Sequence, residues 1–154
     1  MTLQERIQDD VRTAMRDRDE LRRDTLRMAL AAAHNAEVAQ RRPLTDDELL
    51  GILSKEVKSR RESVEAYETA GREDLAQKER AEAVILSEYL PQPLSEDELR
   101  ALVRAAIAET GASSPRDLGR VMGVLSPRTR NRADGKAVSS MVAGELAAAG
   151  GAGG

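Results

Sequence analysis

Between Lys55 and Pro91 the chain reads KEVKSRRESVEAYETAGREDLAQKERAEAVILSEYLP, and this stretch leaves little choice of secondary structure. Leu49, Leu53, Val57, Arg60, Val64 and Tyr67 recur at intervals of three or four, as do Leu75, Glu79, Glu82, Leu86 and Tyr89. That spacing places each set on one face of an α-helix. Ala70-Gly71 separates the two helices, with Gly71 suited to a left-handed stop, and Leu90-Pro91 ends the second. With 33% charged residues, no Trp, no Phe and only two Tyr, the core must be built from aliphatic side chains and Ala. Aliphatic stripes at helical spacing suit helix-on-helix packing, and no strand-like alternation of useful length occurs. The expected fold class is all-α.

The same signals divide the rest of the chain. Leu3, Ile7, Val11, Ala14 and Met15 mark a first helix, and an Ala-rich second helix spans about Glu20 to Gln40. The charged stretch Arg16-Asp17-Arg18-Asp19 between them fits either a turn or continuous helix. Thr45 to Glu48 (TDDE) and Ser95 to Glu98 (SEDE) read as capping boxes. Leu99, Leu102, Val103, Ala106 and Ile107 form the next stripe, closed by Gly111. Ser114-Pro115 opens a helix carrying Leu118, Val121, Met122 and Leu125, which Ser126-Pro127 is expected to end. A last helix covers about Lys136 to Ala148. Pro91 and Pro93 make the best boundary, so the expected organisation is an N-terminal helical domain at 1–91, a small C-terminal helical domain at 92–148 and a disordered Gly-rich tail at 149–154.

Charge is distributed unevenly. Residues 1–90 hold 16 Lys/Arg against 20 Asp/Glu, whereas 113–136 hold six against two. Absence of Cys removes disulfides and thiolate metal ligands. With a single histidine, His34, no zinc ligand set can be assembled, and no nucleophile has a base beside it. We therefore expect no catalytic residue, no metal and no cofactor. MTLQERIQDDV has no apolar core of a secretory signal and no run approaches the length of a membrane span, which reads as a cytoplasmic protein. Gly119 and Gly123 (GRVMG) are expected to let their helix pack closely on a neighbour. The opposite charges four apart at Glu56–Arg60, Arg61–Glu65, Glu68–Arg72 and Lys78–Glu82 read as a solvated, salt-bridged face. The Tyr67 and Tyr89 rings are expected to pack, with hydroxyls exposed or bonded.

The local basic segment is the one feature pointing to a partner. Arg116, Arg120, Arg128, Arg130, Arg132 and Lys136 fall within two dozen residues, several in one loop. A guanidinium donates two parallel hydrogen bonds to a phosphate, and loops held by rigid helices are common binding sites. With no aromatic platform for stacking bases, recognition would be of backbone and shape, as in a folded RNA. The plainer reading is a solvated basic loop.

AMRDRDELRRDTLRMALAAAHNAE, the Lys55–Pro91 block, PLSEDEL, ETGASSPRDLGRVMGVL and RADGKAV follow one another in an order and spacing that resemble the YqeY-like family, whose members carry the GatB/YqeY domain. The resemblance covers about residues 3–147; Asn131 departs from the Gly commonly found before RADGK. It implies an all-helical fold with a larger N-terminal and a smaller C-terminal part. The smaller part is similar to the tail domain of the B subunit of the tRNA-dependent amidotransferase, which helps hold aminoacyl-tRNA. By that resemblance the partner would be tRNA, and the basic residues would form the contact surface of a tRNA-binding accessory protein. A second reading is a protein-interaction adaptor that meets the amidotransferase or another translation enzyme. A third is carbon–nitrogen ligase activity with glutamine as amido donor. That label would follow from domain ancestry, because no residues here are seen to perform the reaction.

Overall fold

The computed structural model describes the backbone of residues 1–152 and the side chains of residues 1–150. Seven α-helices and one 3₁₀ turn are present, with no strand among the described residues. The contacts divide the chain into two units, Met1–Pro91 and Gln92 onward.

The first unit contains α1 (Leu3–Arg16), α2 (Glu20–Gln40), α3 (Asp46–Thr69) and α4 (Glu73–Ser87). α1 and α2 pack as one pair, α3 and α4 as another, and α2 lies against both members of the second pair. Residues 16–19 form a turn rather than continuous helix. Arg18 takes a left-handed conformation (φ 57°), and Asp19 caps α2 by accepting from Arg22 N at 3.1 Å. Thr2 and Thr45 cap α1 and α3 through reciprocal bonds with Glu5 and Glu48. Gly71 at φ 72° gives the left-handed stop after α3.

The core of this unit joins Ile7 and Val11 to Leu26, Ala29 and Ala33, and these to Leu49, Leu53, Val57, Ala83, Ile85 and Leu86. Each fully buried leucine contributes about 2 kcal/mol of burial free energy. Ala29 and Ala33 keep the buried face of α2 thin, which permits close approach. Thr25 lies fully buried on that face, and among the described residues its hydroxyl has no hydrogen-bond partner. Tyr89 packs with its hydroxyl bonded to Asp10, and the Arg6 guanidinium lies 4.9 Å from the ring centroid. Burial and then the Asp10 carboxylate push the phenol above its ordinary range.

The charged face of α3 and α4 is solvated and salt-bridged as expected at Glu68, Arg72, Asp74 and Arg80, and departs from that reading at Arg60 and Glu82. Glu56–Arg60 (2.7 Å) and Lys78–Glu82 (4.0 Å) form. Glu68 instead meets Arg80, and Arg72 meets Asp74 at 3.2 Å. Arg60 and Glu82 are buried and join across the helix pair, Nε to Oε2 at 3.0 Å. Burial is the largest influence on Arg60 and opposes its charge, but Glu56 and Glu82 together outweigh it and raise its pKa.

The second unit contains α5 (Glu96–Thr110), a 3₁₀ turn (Pro115–Asp117), α6 (Leu118–Thr129) and α7 (Gly135–Ala152). Ser95 caps α5 and Gly111 ends it at φ 67°. Leu99, Val103 and Ala106 of α5 meet Val121 and Leu125 of α6 and Val138, Val142 and Leu146 of α7. Three expectations need correction. α6 continues past Pro127 to Thr129; the proline leaves the Gly123 carbonyl without its intrahelical donor, and Arg130 N still closes the last turn on the Ser126 carbonyl at 3.0 Å. Gly119 and Gly123 are exposed, and a Cβ on either would meet nothing within 4 Å, because the packed side of α6 is that of Val121 and Leu125. α7 takes in residues 149–152 of the expected tail, carried there by the Ala-rich run; residues 153 and 154 lie outside the described residues. Among the described residues no helix is long and apolar enough to cross a membrane.

Candidate nucleic-acid interface

The six basic residues singled out from the sequence all belong to the second unit, but they stand in two different electrostatic states. Arg116 lies in the 3₁₀ turn, Arg130 directly follows α6, and Lys136 is in the first turn of α7. All three are exposed, and among the described residues none enters an ion pair. The other three have internal carboxylates. Arg120 meets Asp117 at 3.0 Å. Arg128 grips Glu109 with both terminal nitrogens, at 3.1 and 2.9 Å. Arg132 bonds the Gln92 carbonyl at 3.1 Å and lies 3.9 Å from Glu98.

The loop that carries Arg130 and Arg132 is pinned. Leu94 N donates to the Arg132 carbonyl at 2.8 Å, while Arg132 N and Ala133 N both donate to the Thr129 carbonyl. Asn131 takes φ 63°, so the turn that glycine would make is made here by one of the few other residues that tolerate it. Arg128 and Arg132 are not brought together. Their partners Glu109 and Glu98 stand eleven residues apart on α5, roughly 16 Å along its axis at 1.5 Å per residue.

Electrostatic effects follow the pairing. Arg128 holds the Glu109 carboxyl below its usual range. The Asp117 carboxyl is lowered chiefly by the amides of Ser113 and Ser114, which donate to it at 2.9 and 3.3 Å, with Arg120 contributing less. Asp117 therefore fixes the turn first and shields Arg120 second. The sequence named the cations but not the shields, because Glu109 and Glu98 reach them only through the packing of α5 against the α6 end.

The first unit has a cleft of about 300 Å³ at the N-terminal ends of α1 and α3, lined by Thr2, Glu5, Leu44, Thr45 and Asp46 among others. Its helix-end donors are already taken: Glu5 N by Thr2 (3.1 Å), Glu48 N by Thr45 (3.2 Å) and Leu3 N by Asp46 (3.1 Å). With two carboxylates in its wall it disfavours anions. His34 is exposed on α2.

Comparison with known proteins bears on the whole chain. A protein from Pyrenophora tritici-repentis named altered inheritance of mitochondria protein 41, mitochondrial, is 32% identical over 140 residues, covering 89% of this chain and 77% of that protein. Proteins of the same name from Eremothecium gossypii and Lachancea thermotolerans are 36% and 34% identical over 85 and 112 residues. Those matches cover 54% and 71% of this chain, and only 46% and 60% of the relatives' own lengths. The sequence profile of the Yqey-like proteins matches residues 4–146, taking in both units, and the chain belongs to that family.

Proposed function

We propose that this protein is a tRNA-binding accessory factor that contacts RNA phosphates through its second unit. The observation that carries the reading is the set of three exposed cations without carboxylate partners, Arg116, Arg130 and Lys136, held on a 3₁₀ turn, a pinned loop and a helix start. A cation with no internal partner can take a phosphate without first breaking an ion pair. Both tyrosines lie in the first unit, so no aromatic ring of the second is available for stacking. Recognition on this surface is therefore of backbone and shape, the mode suited to a folded RNA. The similarity of this unit to the amidotransferase tail domain supports tRNA in particular. The proposed compartment is the cytoplasm, as read from the sequence; the relatives are named as mitochondrial.

Equilibrium binding to total tRNA over a salt series tests the reading. Three phosphate contacts give a log–log slope of about −2.7, a loss of roughly 40-fold in affinity over a fourfold rise in salt. Arg130→Ala/Lys136→Ala should make the slope shallower by about two, and Arg116→Ala by about one. An unchanged slope in both variants defeats the assignment. No binding of the wild type at low salt transfers the proposal to a protein adaptor, recognised by a translation enzyme that stays bound after RNase treatment.

A further inference from the structure

Glu109 is the one shielding carboxylate for which the fold supplies no other reason. It sits in the last turn of α5, the negative end of the helix dipole, where a carboxylate is disfavoured. It caps nothing, and among the described residues the only hydrogen bonds of its side chain are the two it accepts from Arg128. Asp117, by contrast, holds the amides of Ser113 and Ser114, and Glu98 lies a loose 3.9 Å from an arginine already tied to Gln92. Arg128 does have a local reason for its position, since a cation suits the last turn of α6.

We propose that Glu109 acts as an internal stand-in for phosphate. Its two oxygens occupy both terminal nitrogens of Arg128 and hold that residue out of the RNA-contacting set, so that Glu109 sets how tightly the second unit binds. This rests on the phosphate-contact reading above. The geometry supports it in two ways. A carboxylate engaged by a forked guanidinium presents the same pair of acceptor oxygens as a phosphate. Both partners are also exposed, with 40% and 50% of their side-chain surfaces open to solvent, so removing the Glu109 charge releases Arg128 toward a ligand without disturbing the core. The carboxylate is tethered and present at high effective concentration. Phosphate, whether free or part of an RNA anchored at Arg130 and Lys136, therefore competes poorly for Arg128 while Glu109 is charged.

The test is a double-mutant cycle in tRNA binding with wild type, Glu109→Gln, Arg128→Ala and the double variant, each over the same salt series. Glu109→Gln keeps the shape and removes the competing charge; both positions are exposed, and circular dichroism confirms that each variant is folded. Glu109→Gln should bind about fivefold more tightly, with a slope steeper by about one. Arg128→Ala should bind like wild type within about twofold, and the double variant should lose the gain of Glu109→Gln. A gain that persists in the double variant reflects general loss of negative charge and overturns the proposal, as does no gain at all. A loss in Arg128→Ala as large as in Arg130→Ala also overturns it, since Arg128 would then be in contact already. If wild type fails to bind tRNA and Glu109→Gln binds through Arg128, the shield stands and the reading of the wild-type surface falls. If neither binds, both fall.

Discussion

Replacing Arg60 by Met should be among the most damaging single changes in the first unit, and adding Glu82→Leu should largely repair it. The Arg60 and Glu82 side chains are only 9% and 7% exposed. Arg60→Met removes the 3.0 Å partner of Glu82 and leaves that carboxylate with Lys78 alone, 4.0 Å away and 65% exposed. Breaking a buried pair costs about 3–5 kcal/mol, and the remaining lysine places this case near 3. Glu56, 34% exposed, loses its bond to Arg60 but can turn to water. Glu82→Leu alone is milder, about 2 kcal/mol, because Arg60 keeps the Glu56 carboxylate at 2.7 Å and its carbonyl at 3.2 Å. In the double variant both charges are gone and two apolar chains fill the seam between α3 and α4, so stability should return to within about 1 kcal/mol of wild type. Independent effects would instead sum to about 5 kcal/mol. Native-state hydrogen exchange at α3 and α4 amides measures this locally: Arg60→Met should lower protection by roughly two orders of magnitude. A double variant no more stable than Arg60→Met, or a single variant within about 1 kcal/mol of wild type, refutes the reasoning.

Two further changes test smaller features of the same unit. Arg42, bonded to both Glu48 oxygens at 2.8 and 3.2 Å, and then the Thr45 amide hold the Glu48 carboxyl at about 2, against an ordinary 4.5. The folded state therefore gives up this proton more readily than the unfolded chain. The resulting stability is present above pH 4.5 and drains away as pH falls toward 2. Urea midpoints across that range should fall less steeply for Glu48→Gln than for wild type, and equal slopes would remove the ion pair from the account. Thr25→Val replaces a buried, unpartnered hydroxyl by a methyl of similar size and should stabilise the protein by about 1 kcal/mol, seen as a higher urea midpoint. A lower midpoint would mean that the hydroxyl has a partner.

Local chemistry made much of the fold readable. The starts at Thr45 and Ser95 and the stops at Gly71 and Gly111 depend on residues within one turn of each other, and the structure places each where the sequence does. Pro127 misled because the proline lacks only its own N–H, and the chain keeps helical geometry for two residues beyond it, with Arg130 N still donating to the Ser126 carbonyl. Gly119 and Gly123 misled because spacing reports which residues share a face, not whether that face is the packed one. The buried pair was out of reach for a different reason. Arg60 and Glu82 are twenty-two residues apart, and each had a nearer candidate partner in the sequence. The candidate interface is a mixture of both cases. Its cations are visible as a cluster of letters, yet which of them are free depends on Glu109 and Glu98, brought in from another helix.

The aliphatic core has a consequence for how this protein is observed. Its only two aromatic residues, Tyr67 and Tyr89, both belong to the first unit, and the chain has no tryptophan or phenylalanine. Near-ultraviolet dichroism and intrinsic fluorescence therefore report on that unit alone, and the unit carrying the proposed interface is dark to both. An RNA titration followed by intrinsic tyrosine emission could register nothing even at saturation. The same blindness has a use: far-ultraviolet signal that melts without a tyrosine signal belongs to the second unit, so the two can be followed separately in one intact chain without a label.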